Sequence, residues 1–308
     1  MKHLTPIILF VYNRPEHTKK TLDALAANHL AAESELFIYV DGLKSGAQIK
    51  DIQKTQEVKK LAEAENRFKK TTIIASDFNK GLASSIIDGV TKTLVTNDRV
   101  IVLEDDLETS EYFLHFMNDT LAFYQEDNEV ACISGYIYPV DEKLPETFFL
   151  RGADCWGWAT WKRAWDLFEP DGKYLLDQLT KKKLLYDFNF FDSYPYSKML
   201  KDQIAGKNNS WAVRWYASAY LHEKLTLYPS TSFVRNIGID GSGTHSGKRD
   251  FWQSKHLTGK IHLEKITPLE DKDAKLIVAR YFTILMKKSL SGHVKYAILS
   301  ILNRFRNS

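Results

Sequence analysis

The chain of 308 residues holds only two cysteines, Cys132 and Cys155. That is too few for a disulfide framework or a thiolate zinc site, and it fits a reducing compartment. No stretch reaches the roughly 18 uncharged apolar residues that a membrane span requires. The apolar run from Pro6 to Tyr12 is short, lacks a small-residue cleavage site and leads into the turn-like Asn13-Arg14-Pro15, so it does not read as a secretory signal. A cytoplasmic location is expected. No repeat, low-complexity tract or Pro/Gly linker marks a boundary. From Ala274 to Ser308 there is no Asp or Glu, against seven cations: Lys275, Arg280, Lys287, Lys288, Lys295, Arg304 and Arg306. The net charge is +3, so this end carries +7 and residues 1–273 carry −4. A body at −4 is a poor general partner for nucleic acid, which is held by clustered cations.

Apolar residues make up 44% and charged residues 26%, the balance of a soluble globular chain with a sizeable core. Disorder, collagen and coiled coil are excluded as the main architecture. At about 100–200 residues per domain the length allows one large or two small domains.

The first 130 residues alternate strand and helix patterns. Ile7 to Tyr12 reads as a strand buried on both faces. A helix is expected from Pro15 to Asn28, a strand from Leu36 to Val40 ending in Asp41-Gly42, and a charged helical stretch to Arg67. A strand at Thr72–Ala75 and a helix from Leu82 to Val95 follow. Val100 to Leu103 is the next strand and stops in Glu104-Asp105-Asp106. Phe113, Phe116, Met117, Thr120, Leu121 and Tyr124 then recur at helical spacing. Such alternation implies βαβ units and a mostly parallel sheet flanked by helices. Ligands of these sheets sit outside the carboxyl ends of the strands, where Asn13-Arg14, Asp41-Gly42 and Glu104-Asp105-Asp106 are expected to converge. The second half is less regular, with Trp156, Trp158, Trp161 and Trp165 within ten residues.

Three consecutive carboxylates after an apolar strand raise one another's pKa. Mg²⁺ or Mn²⁺ relieves that cost, and both take one or two carboxylates together with substrate phosphates. A solvated acidic turn capping a helix near Thr109 is the plainer reading. The position of the triplet, beside two other polar strand ends, favours the metal.

These segments together resemble the metal-dependent nucleotide-sugar glycosyltransferases of the GT-A fold, in particular the N-acetylglucosaminyltransferase I type. The likeness is carried by Pro6 to Pro15, Val40-Asp41-Gly42, Asn79-Lys80-Gly81-Leu82, Val102 to Glu108, Gly157-Trp158-Ala159 with Trp161 and Trp165, and Gly243-Thr244-His245-Ser246-Gly247. It spans residues 5–250 in the family's order, which is more specific than any one motif. The resemblance implies an α/β GT-A domain over 1–265, with a nucleotide-binding half over 1–130, an acceptor half over 131–265 and a basic helical tail over 266–308. It implies Asp106 as the direct metal ligand, with Glu104 and Asp105 toward ribose and donor sugar. Asn13 and Arg14 fall to the nucleotide and its phosphates, Asp41 to the uridine, and Lys80-Gly81 to the same donor site. His245 belongs to a loop closing over the diphosphate.

Plainer roles stand beside these: a surface ion pair for Arg14, a turn for Asp41-Gly42, an ordinary loop histidine for His245. Trp161 and Trp165, at i, i+4, read as helix core. Trp156 and Trp158 are placed at the acceptor sugar, on which indoles stack. The chain departs from the family at the general base. The comparable segment, Ser210-Trp211-Ala212-Val213-Arg214-Trp215, has no acid, which leaves Asp202 and Asp154 as candidates.

The expected activity is transfer of a sugar from a nucleotide-diphosphate donor, UDP above all, with Mn²⁺ or Mg²⁺ and inversion. The acceptor is expected to be a glycan or a lipid-linked oligosaccharide. The rivals are a sugar-1-phosphate nucleotidyltransferase and a non-catalytic glycan- or nucleotide-binding protein. For the tail two readings stand: an interfacial helix on anionic lipid, or a helix packed on the domain.

Overall fold

The computed structural model describes residues 4–239 and 260–288. β1 (Ile7–Val11) is followed by α1 (Pro15–Ala26), β2 (Glu35–Val40), α2 (Ile49–Ala64), β3 (Lys70–Ala75), α3 (Leu82–Thr96) and β4 (Arg99–Glu104). These are the βαβ units expected from the pattern. β5 (Leu107–Thr109), α4 (Phe113–Phe123) and β6 (Val130–Ser134) come next. The acidic triplet therefore caps no helix near Thr109, because a short strand intervenes and the helix begins at Phe113.

The second half runs through β7 (Thr147–Arg151), β8 (Trp158–Trp161), α5 (Lys162–Trp165), α6 (Gly172–Lys181) and α7 (Leu185–Phe188). It continues with α8 (Tyr196–Ile204), α9 (Trp211–Leu221), β9 (Leu225–Pro229), β10 (Val234–Asn236) and α10 (Lys272–Lys288). The main sheet has eight strands in the order β3-β2-β1-β4-β8-β6-β9-β7, and β5 pairs with β10 in a separate ribbon. β1, β2, β3 and β4 are parallel, as are β6 and β9, while β8 and β7 run against them. The fold is α/β with a mostly parallel sheet. β6 lies within the sheet, between β8 and β9, so the two halves expected about residue 130 share one sheet.

The continuous apolar strands are explained by burial on two faces. Ile7, Leu9 and Val11 of β1 enter one core with Leu22 and Leu25 of α1. Ile8 and Phe10 enter a second with Ile86 and Val90 of α3. In β4, Ile101 and Leu103 join the first core while Val100 and Val102 join the second. A third core unites α6 to α10 against β7.

Ala274, Val278, Ala279, Phe282 and Leu285 of α10 are buried in that third core. Lys275 is only 3% exposed and pairs with Asp187 at 2.8 Å and Glu270 at 3.1 Å. The described part of the expected tail is thus a wall of the domain, not an appendage. Its apolar stripe has a core to enter and its buried Lys275 has two partly exposed carboxylates to meet. Residues 289–308, with Lys295, Arg304 and Arg306, lie outside the described residues.

Candidate active site

The strand order sets β2, β1 and β4 side by side, so their polar ends meet at one edge of the sheet. Phe10 of β1 lies opposite Glu104 of β4, and this register brings Arg14 level with the acidic triplet. Arg14 is also the N-cap of α1, its backbone fixed by the Pro15 that follows. Its guanidinium bridges two carboxylates. It reaches both oxygens of Asp105 and donates to Asp106 Oδ2 at 3.0 Å. Thr21 of α1 donates to the Asp105 carbonyl at 2.8 Å, tying the helix to the same turn.

Burial, then the neighbouring charges of Asp106 and Asp105, push the Glu104 carboxyl well above the ordinary range, and Arg14 opposes the rise. Burial also lifts Asp105, against the opposing pull of Arg14. Burial works against the charge of Arg14 as well, but Asp105 and Asp106 outweigh it and its pKa rises. The Arg14 pairing is therefore part of the site, not a loose surface pair.

Gly238, directly after β10, lies over this pair. A Cβ there would stand 2.9 Å from Arg14 Nη1 and 3.0 Å from Asp106 Cβ, so a side chain at this position would crowd the pair. The Ile237 amide donates to the Asp106 carbonyl at 2.8 Å, fixing the segment in place. His245, further along this glycine-rich stretch, lies outside the described residues.

Asp41 is engaged in hydrogen bonds on both oxygens. One carboxylate oxygen accepts from the amides of Gly42 (2.9 Å) and Lys80 (2.8 Å). The other accepts from Asn79 Nδ2 (2.9 Å) and the Gly81 amide (3.0 Å). All four donors come from its own neighbourhood, so Asp41 holds the Asn79-Lys80-Gly81 turn, the plainer of its two expected roles. Gly81 takes φ of 74° as the N-cap of α3, a conformation that favours glycine. Lys80 pairs with Asp88 at 3.1 Å. Asn13 turns its amide toward Asp51 of α2 at 3.3 Å, beside the donor edge.

The two base candidates separate. Asp202 lies on α8, paired with Lys198 and, at 3.6 Å, Lys207. Hydrogen bonding from Lys198, the main cause, holds its carboxyl below the usual range and makes it a weaker base. Asp154 lies between β7 and β8, its Oδ1 accepting from the Cys155 amide at 2.6 Å. Burial raises its pKa against hydrogen bonds from the Cys155 and Trp156 backbone and from the Tyr228 side chain. Cys155 is raised by burial, by Asp154 and by the charges of Glu104 and Asp106. The charges of Asp154, Glu104 and Asp106 all reach Cys155, whereas Asp202 of α8 is paired with Lys198 and Lys207. Sequence reasoning missed Tyr228, Thr21 and the position of Gly238 over the pair; no local pattern brings these residues together.

The tryptophan cluster is mostly core. Trp158 is 1% exposed and stacks on Trp211, with Trp165 and Trp215 close by. It cannot stack on a sugar, which corrects the acceptor role expected for it. Trp161 ends a strand and Trp165 a short helix, so both are buried without sharing a helix face. Trp156 is partly exposed and lies edge-on to Tyr136 at 4.6 Å.

The donor set of the triplet is all oxygen, the preference of Mg²⁺ and Mn²⁺. Among the described residues no three His, Cys, Asp or Glu side chains gather as a metal cluster. Arg14 engages both oxygens of Asp105 and Asp106 Oδ2, so a cation here would rest on Asp106 only once that contact is released.

No protein-family model matches the chain, and no curated protein matches it. Several solved structures are similar in part. TarS residues 1–349 from S. aureus is 14% identical, with a TM-score of 0.41 over 77% of this chain and 61% of that one. The chain thus spans less than two thirds of that structure. A UDP-glucose pyrophosphorylase complexed with UDP-glucose is 12% identical, TM-score 0.38, over 76% of this chain and 94% of that one. A Desulfovibrio desulfuricans G20 protein, provisionally described as a nucleotide-diphospho-sugar transferase, is 12% identical, TM-score 0.33, over 54% and 67%. Among the described residues no helix is long and apolar enough to cross a membrane.

Proposed function

We propose that the chain is a glycosyltransferase of the GT-A type that takes a nucleotide-diphosphate sugar, UDP-linked, to a glycan or lipid-linked acceptor with inversion. One observation carries this reading: Arg14 meets Asp105 and Asp106 of the Glu104-Asp105-Asp106 triplet at the carboxyl edge of the sheet. The donor diphosphate lies against Arg14 and the α1 N-terminus, where positive charge favours it. Mg²⁺ or Mn²⁺, held by Asp106 when bound, supplies neutralisation of the charge that grows on the departing diphosphate.

Asp154 takes the proton of the acceptor hydroxyl as that oxygen attacks the anomeric carbon. Burial raises its pKa and makes it a stronger base than an ordinary carboxylate. Trp156 offers a partly exposed indole beside it for the acceptor sugar. The segment through Gly238 shields the Arg14–Asp106 pair from water, as a cover over a reactive donor must.

The test is a screen of nucleotide sugars with and without Mn²⁺ for thermal stabilisation of the full chain. A ligand at 100 times its dissociation constant, bound only to the folded state, adds about 2.7 kcal/mol. Stabilisation by a UDP-sugar that requires Mn²⁺, and slow release of free sugar without acceptor, supports the transferase. Absence of stabilisation by any nucleotide sugar refutes it, and binding without turnover or hydrolysis leaves the non-catalytic binder.

A further inference from the structure

The geometry points to Arg14 as an internal counter-cation that keeps the triplet closed to divalent metal in the free enzyme and yields it when a nucleotide diphosphate arrives. This rests on the donor-site reading above and adds an order of events to it.

Arg14 is not a long side chain that happens to reach an acid. The β1–β4 register, Pro15 and the N-cap position fix its backbone beside Asp105 and Asp106. Its fork spends one arm on an oxygen of Asp106, at 3.0 Å, and so competes for the carboxylate that a metal would need. Gly238 packs against both groups, close enough that a Cβ there would meet Arg14 Nη1 at 2.9 Å. A guanidinium stays charged at any working pH. A divalent cation at Asp106 would sit against that charge in a poorly solvated place, where repulsion is only weakly screened.

A diphosphate reverses the balance. It offers Arg14 several anionic oxygens in a geometry that suits the fork, and it brings further oxygen ligands for the cation. Arg14 then leaves Asp106 for phosphate, and the freed carboxylate meets the metal that the nucleotide carries. Metal and nucleotide therefore bind with positive coupling, and the coupling is reciprocal. Removing the charge of Arg14 has two opposite effects: Mn²⁺ alone binds better, and UDP binds worse.

The experiment titrates Mn²⁺ into the full chain by calorimetry, with and without UDP, for the parent, Arg14→Gln and Arg14→Lys. In the parent UDP tightens Mn²⁺ at least about tenfold, within the usual span of such couplings. In Arg14→Gln, Mn²⁺ alone binds about tenfold tighter than in the parent and UDP tightens it little, the expected direction for removing a nearby like charge. Arg14→Lys keeps the charge, so its binding of Mn²⁺ alone stays as weak as in the parent. If Arg14→Gln, folded by its melting curve, binds Mn²⁺ alone no better than the parent while the parent still binds UDP with Mn²⁺, the counter-cation fails and the donor site stands. If Arg14→Gln does not fold, the parent decides: Mn²⁺ affinity unmoved by UDP overturns the proposal. A parent that binds neither UDP nor Mn²⁺ removes the donor site with it.

Discussion

Replacing Asp41 by Asn separates a strut from a nucleobase reader. The carboxylate accepts four hydrogen bonds, from Gly42, Lys80, Asn79 and Gly81, at 2.8–3.0 Å. An amide has one acceptor oxygen, so in Asp41→Asn two of these donors must face an NH₂ group that itself donates. Hydrogen bonds to a charged group contribute about 1.5–3 kcal/mol each, so the loss is about 3–6 kcal/mol. At the usual unfolding entropy per residue, a chain this long then melts about 5–9 °C lower. The assay is thermal and urea unfolding of the protein without nucleotide, followed by circular dichroism. The strut predicts the lower midpoint before any ligand is added. A midpoint unchanged from the parent, with nucleotide affinity alone reduced, refutes the reasoning and returns Asp41 to the uridine.

Other outcomes follow from the same geometry. Asp154→Asn lowers turnover by about two to four orders of magnitude with donor affinity little changed, whereas Asp202→Asn leaves turnover unaltered. Burial raises the Asp154 pKa, and the base works only when ionised. The acid limb of the parent's rate profile therefore lies above the ordinary carboxylate range and is absent from the residual activity of Asp154→Asn; a limb at ordinary carboxylate pH rejects the assignment. Phe282→Ala removes a fully buried ring that packs on Tyr138, Phe190 and Tyr194, and costs about 3–5 kcal/mol in urea unfolding. Truncation after Asp271 unfolds the domain; a truncated chain that still binds nucleotide would show α10 to be dispensable.

The parallel half of the sheet was legible because β1 and β4 are apolar along most of their length and buried on both faces, and β1, β2 and β3 are each followed by a helix. The polar strand ends were legible for the same reason: charge after a buried strand has to lie at its edge. β8 was not. Trp158-Ala159-Thr160-Trp161 is buried along its whole length and runs against its neighbours β4 and β6. Four buried residues rich in indole carry no sign of which strands they join, and the same residues pass for a sugar platform. Asp41 illustrates a second limit. A carboxylate after a strand is as well suited to holding its own loop as to holding a ligand, and only the positions of the Lys80 and Gly81 amides decide. Asp154 was visible as an acid among aromatics, but Tyr228, which bonds it, comes from β9. At the basic end the cations alone do not separate a lipid-facing helix from a packed one, and for the described part the burial of Lys275 decides.

The outer edge of β7 has a consequence for how the chain is made. β7 is the last strand of the sheet, and its far side is covered by the segment before α10: Phe149 bridges Glu270, Asp271 donates to the Phe149 carbonyl at 2.8 Å, and the Arg151 amide donates to Glu270 at 3.0 Å. Arg151 and Glu270 are 119 residues apart. At ribosomal speeds of about 5–20 residues per second, β7 waits about 6–24 s after its own synthesis for this cover. During that interval a Phe-rich strand with unpaired amides is open to other nascent chains. The covering segment thus acts late in biosynthesis as a seal on an adhesive edge, and its loss would be felt first as poor yield from the ribosome, before any effect on the finished protein.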